Sequence, residues 1–86
     1  MRLPVIRHLS TFIEENDEDF VHETIETLEN LTELSSMKDE ELDVIGELLS
    51  NMYGAIEVNK MMKEEGIPQR DAAKKFMERV MGSIDT

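Results

Sequence analysis

Apolar residues recur at intervals of three and four along nearly the whole chain, and short polar clusters cut that periodicity into four blocks. The first block sets Val5, Ile6, Leu9, Phe12 and Ile13 at i, i+1, i+4, i+7 and i+8. Pro4 precedes them where a first-turn proline is tolerated, so the block predicts a helix over residues 3–15. The run from Glu14 to Asp19 ends it, and Asn16 and Asp17 are good N-caps for a second helix over 18–34. That helix carries Phe20, Val21, Thr24, Ile25, Leu28 and Leu31 on one side. Ser35 and Ser36 break the pattern, and Ser36 with Asp39 resembles a capping box that opens a third helix over 37–65. Gly66 stands where a left-handed cap is expected. Pro68 then opens a helix over 68–81 with Ala72, Ala73, Phe76, Met77 and Val80 on its buried face, closed by Gly82. Strand alternation, repeats and linkers are missing, and the connections are as short as those between antiparallel neighbours. The expected fold is all-α, one domain over 1–86, a small bundle of four helical segments around one long central helix.

The central helix sets the terms for the rest. Leu42, Ile45, Leu49, Met52 and Ile56 form its apolar stripe, and Leu48, Ala55, Asn59 and Met62 widen one edge to about half the circumference. A helix that broad needs neighbours on two sides, and the five stripe residues are the expected oligomer interface. Gly46, Ser50 and Gly54 follow at i, i+4 and i+8 on one shoulder, either to admit another backbone closely or as tolerated glycines at about 1 kcal/mol each. Asn59 either fixes register as a polar group in a helical seam or sits at a frayed, exposed edge.

Composition then changes the picture. A chain of 86 residues buries roughly 60–65% of its unfolded surface. With 40% hydrophobic residues it offers more apolar surface than so short a bundle covers alone, so a homodimer is expected to complete the fold. Cysteine is absent, which removes disulfides, thiol chemistry and Cys-based metal sites. The net charge of −11 argues against nucleic acid and against an anionic membrane surface as partners. No apolar run approaches the roughly 18 residues of a membrane span. Arg7 and His8 interrupt the first apolar block as a signal-peptide core, and the cytoplasm is the default location. Charge is also unevenly spread. From Glu14 to Glu47 fourteen acidic residues face Lys38 alone, a net of −13, whereas between Lys60 and Arg79 the cations outnumber the acids by two. Either the last helix docks against the acidic part, within or between chains, or both faces are simply solvated.

Candidate chemistry is sparse. Glu18, His22, Glu26 and Glu29 share one helical stripe, and carboxylate with imidazole suits iron, manganese or zinc in ferritin-like bundles. The Glu-x-x-His spacing of those bundles is missing and the stripe opposes the apolar side, so a solvated face is the better reading. The metal reading requires a second chain to cover it. Glu15, Asp17, Asp19 and Glu26 match positions 1, 3, 5 and 12 of a calcium loop, but Phe20 stands where the sharp turn needs glycine. No serine lies in a glycine-flanked elbow, no phosphate loop exists, and His8 flanks the first apolar face as a partly buried helical residue. No enzyme activity and no cofactor are expected. Met52, Met61, Met62, Met77 and Met81 concentrate in the C-terminal half, as core filler or as an adaptable groove for a partner helix, with Met61 pointing off the main arc.

The stretches Phe12–Asp19 (FIEENDED), Glu23–Glu29 (ETIETLE) and Asp39–Ala55 (DEELDVIGELLSNMYGA) resemble a small family of uncharacterised short, acidic, all-helical bacterial proteins, over nearly the whole chain. The resemblance implies genes lying near thioredoxin- and peroxiredoxin-type genes, and hence a thiol-redox partner to which a chain without cysteine would be a binding accessory. It transfers no functional residue. The expected function is a non-enzymatic interaction or adaptor module acting as a homo-oligomer on an unidentified protein partner. The alternative is a metal-binding protein of ferritin-like kind, with sites formed between subunits.

Overall fold

The computed structural model describes the backbone of residues 1–85 and the side chains of residues 1–81. Four helices, α1 (Leu3–Glu15), α2 (Asp19–Leu31), α3 (Asp39–Glu65) and α4 (Gln69–Asp85), make an all-α chain. The junction of α1 and α2 is set by two side chains. Asn16 donates its amide to the Phe12 carbonyl at 3.1 Å and closes α1, while the Asp17 carboxylate accepts the Asp19 N–H at 2.9 Å and opens α2.

Three helix ends differ from the sequence expectation by two residues or more. α2 stops at Leu31 rather than 34, because Thr32, Glu33 and Leu34 each donate their N–H three residues back and tighten the last turn. α3 starts at Asp39 rather than 37, and its cap is not Ser36. The Glu41 carboxylate accepts the Lys38 N–H at 3.0 Å, which is the return half of a capping box; the Lys38 ammonium cannot accept and supplies no other half. α4 runs through Gly82 to Asp85. A glycine ends a helix by turning left-handed, as Gly66 does at φ 63° with its N–H on the Met62 carbonyl; otherwise it only weakens the helix.

α3 packs against all three other helices, and α1 also touches α4. Ala55, Val58 and Met61 of α3 meet Ile6 and Ile13 of α1 and Ala72, Ala73 and Phe76 of α4, with Val21 and Ile25 of α2 completing the core. Two polar pairings align α1 with α3. The Arg2 N–H donates to Asn51 Oδ1 at 2.8 Å, and the Ser10 hydroxyl donates to Asn59 Oδ1, both across 49 residues of sequence. Equal offsets at the two ends mean that α1 runs parallel to α3, and the direct α3–α4 turn makes α4 antiparallel to both. Asn59 is therefore neither frayed nor exposed: it is 3% exposed, and its amide also donates to the Ser10 carbonyl at 3.2 Å.

The buried side of α3 is rotated from the expected stripe. Asn51, Gly54, Ala55, Val58, Asn59 and Met61 are buried beneath α1 and α4, whereas Leu42, Leu49, Met52 and Ile56 are half-buried. Met61 thus lies inside the core instead of off the arc. Only the lower end of the glycine shoulder is a close approach. A Cβ on Gly54 would stand 3.0 Å from Ile6 Cδ1, while one on Gly46 would meet nothing within 4 Å. In α1, Ile6, Ser10 and Ile13 form the buried line, which leaves Phe12 at its flank and exposed. No helix among the described residues is long and apolar enough to cross a membrane.

The assembly is a flat slab of 44 × 35 × 18 Å with a radius of gyration of 14.0 Å, against about 12 Å for a compact chain of this length. Its accessible surface is 6001 Å², where a compact monomer of 9.9 kDa would expose roughly 5,200 Å².

Candidate functional site: a bare ridge and a basic-rimmed groove

The stripe proposed for metal does not assemble within the chain. Glu18 Oε2 and His22 Nε2 lie 2.8 Å apart on the exposed side of α2. Glu29 turns away to accept the Tyr53 hydroxyl at 2.6 Å, and Glu26 is exposed. Among the described residues no three histidine, aspartate or glutamate side chains come within reach of one metal ion. His8 is exposed rather than partly buried.

The expected interface stripe is largely half-buried within the chain. Leu49, Met52 and Ile56 are half-buried and pack against the core, Ile45 is 8% exposed and Leu42 is half-buried. Beside Tyr53, whose hydroxyl bonds Glu29, the large apolar side chains that α3 leaves bare are Val44, 59% exposed, and Leu48, 41% exposed. At 100° per residue these two continue the face that carries Asn51 and Ala55 beneath α1, so the ridge is the uncovered extension of the α1 seam beyond its N-terminal end. Leu31 and Leu34 are exposed apolar residues near the α2–α3 connection. Glu40, Glu41 and Glu47 flank the ridge on both sides in helical projection. A second apolar spot joins Phe12 to Phe20, whose rings meet edge to face at 6.2 Å beside Leu9, Val21 and Met52.

On the outer side of α1 and α4 lies a groove of about 620 Å³. Leu3, Ala73, Met77 and Met81 supply its apolar lining. Arg7, Arg70 and Lys74 stand along its rim, with Glu78 its one acid. Met52, Met61 and Met62 pack in or against the core, Met77 packs against the core and also lines the groove, and Met81 lines the groove.

The model of a family of unknown function (DUF6952) matches residues 1–85. The chain belongs to the DUF6952 family. No curated protein and no solved structure matches it. This small, all-helical DUF6952 chain fits the resemblance drawn from its acidic stretches.

The electrostatics of this DUF6952 member follow from which charges the fold joins. Lys75 pairs with Glu65 at 2.5 Å and Arg79 with Glu57 at 3.8 Å, so α4 places these cations on the C-terminal half of α3 and not on the block from Glu14 to Glu47. The Glu65 carboxylate, by hydrogen bond and charge, raises the Lys75 pKa. In the acidic block, Glu47 is held below the usual carboxylate range by the hydrogen bond and charge of the Met1 amine at 2.9 Å. Tyr53 is pushed up, chiefly because its hydroxyl donates to the Glu29 carboxylate. Among the described residues Arg7, Arg70 and Lys74 make no ion pair; Arg7 Nε donates only to Gln69 Oε1, at 3.4 Å. Sequence reasoning raised a methionine groove that included Met77 and Met81 but missed its α1 wall and basic rim, because α1 and α4 are far apart in the chain and neither helix alone shows them.

Proposed function

We propose that this chain is a small, non-catalytic interaction module of the cytoplasm that works as a homodimer. The observation that carries the reading is the flat, over-exposed monomer. Its surface exceeds that of a compact chain of its mass by roughly 800 Å², which is about one partner's share of a standard protein interface. Bare Val44 and Leu48 lie on the seam of its longest helix. An accessory role beside thiol-redox enzymes fits this reading, since a chain without cysteine serves such enzymes by binding alone.

The test is sedimentation velocity of the wild type and of Leu48→Glu. The wild type is expected to sediment as a dimer at micromolar concentration and the variant as a monomer. Because Leu48 is exposed, the isolated fold should keep its stability to within about 0.5 kcal/mol. A wild type that stays monomeric throughout the micromolar range refutes the reading.

A further inference from the structure

We infer that the groove between α1 and α4 receives the N-terminal half of α3 from a second copy, with the Val44–Leu48 ridge on the groove floor and the flanking glutamates against its basic rim. The inference rests on the self-association proposed above and names its two surfaces.

Four observations carry it. First, the two surfaces match in chemistry. The groove is apolar within and cationic at the edge through Arg7, Arg70 and Lys74, and the ridge is apolar along Val44 and Leu48 and anionic at the edge through Glu40, Glu41 and Glu47. Second, the basic rim lacks ion-pair partners and the apolar ridge lacks cover inside the chain, although two of the flanking acids have local partners, Glu41 in the Lys38 N–H and Glu47 in the Met1 amine. The rim cations make no ion pair among the described residues, and the ridge residues are 59% and 41% exposed. Third, two copies that each carry a net charge of −11 repel at a distance, so a stable contact between them has to align opposite signs at short range. Packing ridge on ridge would instead oppose glutamates to glutamates. Fourth, the groove lies open to solvent between two antiparallel helices. A site of that shape cannot enclose 70–90% of a small ligand, as ligand pockets do, but it suits a helix laid lengthwise, with Met77 and Met81 adapting to its side chains.

The acidic α2 of the second copy is the weaker fit. Its outward side presents Glu23, Glu26 and Asn30, with no apolar residue at its centre to fill the groove. Two copies related by a two-fold axis can make the ridge-in-groove contact twice.

A charge-swap experiment read by native mass spectrometry tests the pairing. Arg70→Glu with Lys74→Glu reverses the rim, and Glu40→Lys with Glu47→Lys reverses the ridge. Circular dichroism and thermal melts establish that each variant remains folded. Each variant alone should lose dimer affinity by about a hundredfold, tenfold for each of the two reversed contacts. An equimolar mixture should recover a heterodimer of intermediate mass, because the glutamate rim then meets the lysine ridge while the unaltered rim of one chain meets the unaltered ridge of the other. If the folded variants dimerise like the wild type, or if the mixture recovers no heterodimer, the groove assignment is overturned while self-association stands. A wild type that is itself monomeric overturns both, and leaves an acidic helix of another protein as the occupant to seek.

Discussion

Gly46 and Gly54 lie eight residues apart in α3, and the same substitution should stabilise the fold at the first site and not at the second. Alanine in a helix interior is favoured over glycine by about 1 kcal/mol. At Gly46 an added Cβ meets nothing within 4 Å, so Gly46→Ala should keep the whole gain. For 86 residues the unfolding entropy is roughly 180 cal/mol/K, and the gain corresponds to a Tm rise of about 5 °C. At Gly54 the new methyl would stand 3.0 Å from Ile6 Cδ1, 3.2 Å from Ile6 Cγ1 and 3.3 Å from Phe76 Cε2. Ile6 Cδ1 could swing aside in an open site, but Ile6 is 0% exposed and Phe76 closes the other side at 6%. Overpacking of that kind costs about 1–3 kcal/mol, so Gly54→Ala should be neutral to about 2 kcal/mol destabilising. The two variants should therefore melt roughly 5–15 °C apart. Thermal unfolding by far-UV circular dichroism, at one protein concentration so that association is held constant, measures the gap. A Gly54→Ala protein that melts as high as Gly46→Ala would show that α1 does not approach α3 so closely.

Two further outcomes are expected. Ser10→Ala removes the donor to buried Asn59 Oδ1 and should cost about 1–3 kcal/mol; combined with Asn59→Ala it should cost clearly less than the sum of the single changes, and an additive double-mutant cycle would remove the pair from the account of stability. Tyr53 is the one tyrosine in a chain without tryptophan, so its ionisation reads directly in ultraviolet absorbance. Its pKa is raised by Glu29, so the fold gains from this hydrogen bond fully below the ordinary tyrosine value and loses the gain as pH climbs through the raised value. Glu29→Gln should lower the midpoint toward the ordinary value, and coincident titrations of wild type and variant would discard the bond.

The four helices were legible from their apolar periodicity and from breaks whose chemistry is local, since Asp17 and Gly66 act within a few positions of themselves; the Glu41 bond that opens α3 was not legible, because Ser36 and Asp39 offer the pattern of a cap there. The rotation of α3 was not legible. Different partners cover its two halves, so no single stripe describes it, and the true burial line passes through Asn51 and Asn59, whose amides look like surface until α1 supplies Arg2 and Ser10. Ser10 did carry a signal, since it sits four after Ile6 and three before Ile13, on the line that is buried. Candidate surfaces fared differently according to range. The stripe of Glu18, His22, Glu26 and Glu29 is visible within one helix, yet the structure joins only its first two members. The groove needs α1 beside α4, a neighbourhood set by the tertiary fold.

The parallel pairing of α1 with α3 also has a temporal side. α3 and α4 are successive and joined by the Gly66 turn, so they form a hairpin from local contacts. The residues that receive α1 lie 49 positions after their partners. At a synthesis rate of roughly 5–20 residues per second, α1 waits several seconds on the ribosome before its seat exists. Through that interval Ile6, Leu9 and Ile13 lack the α3 side chains that bury them. The acidic run that follows them at once, Glu14 to Asp19, then serves as a gatekeeper, holding the nascent segment in solution by charge until the long helix arrives.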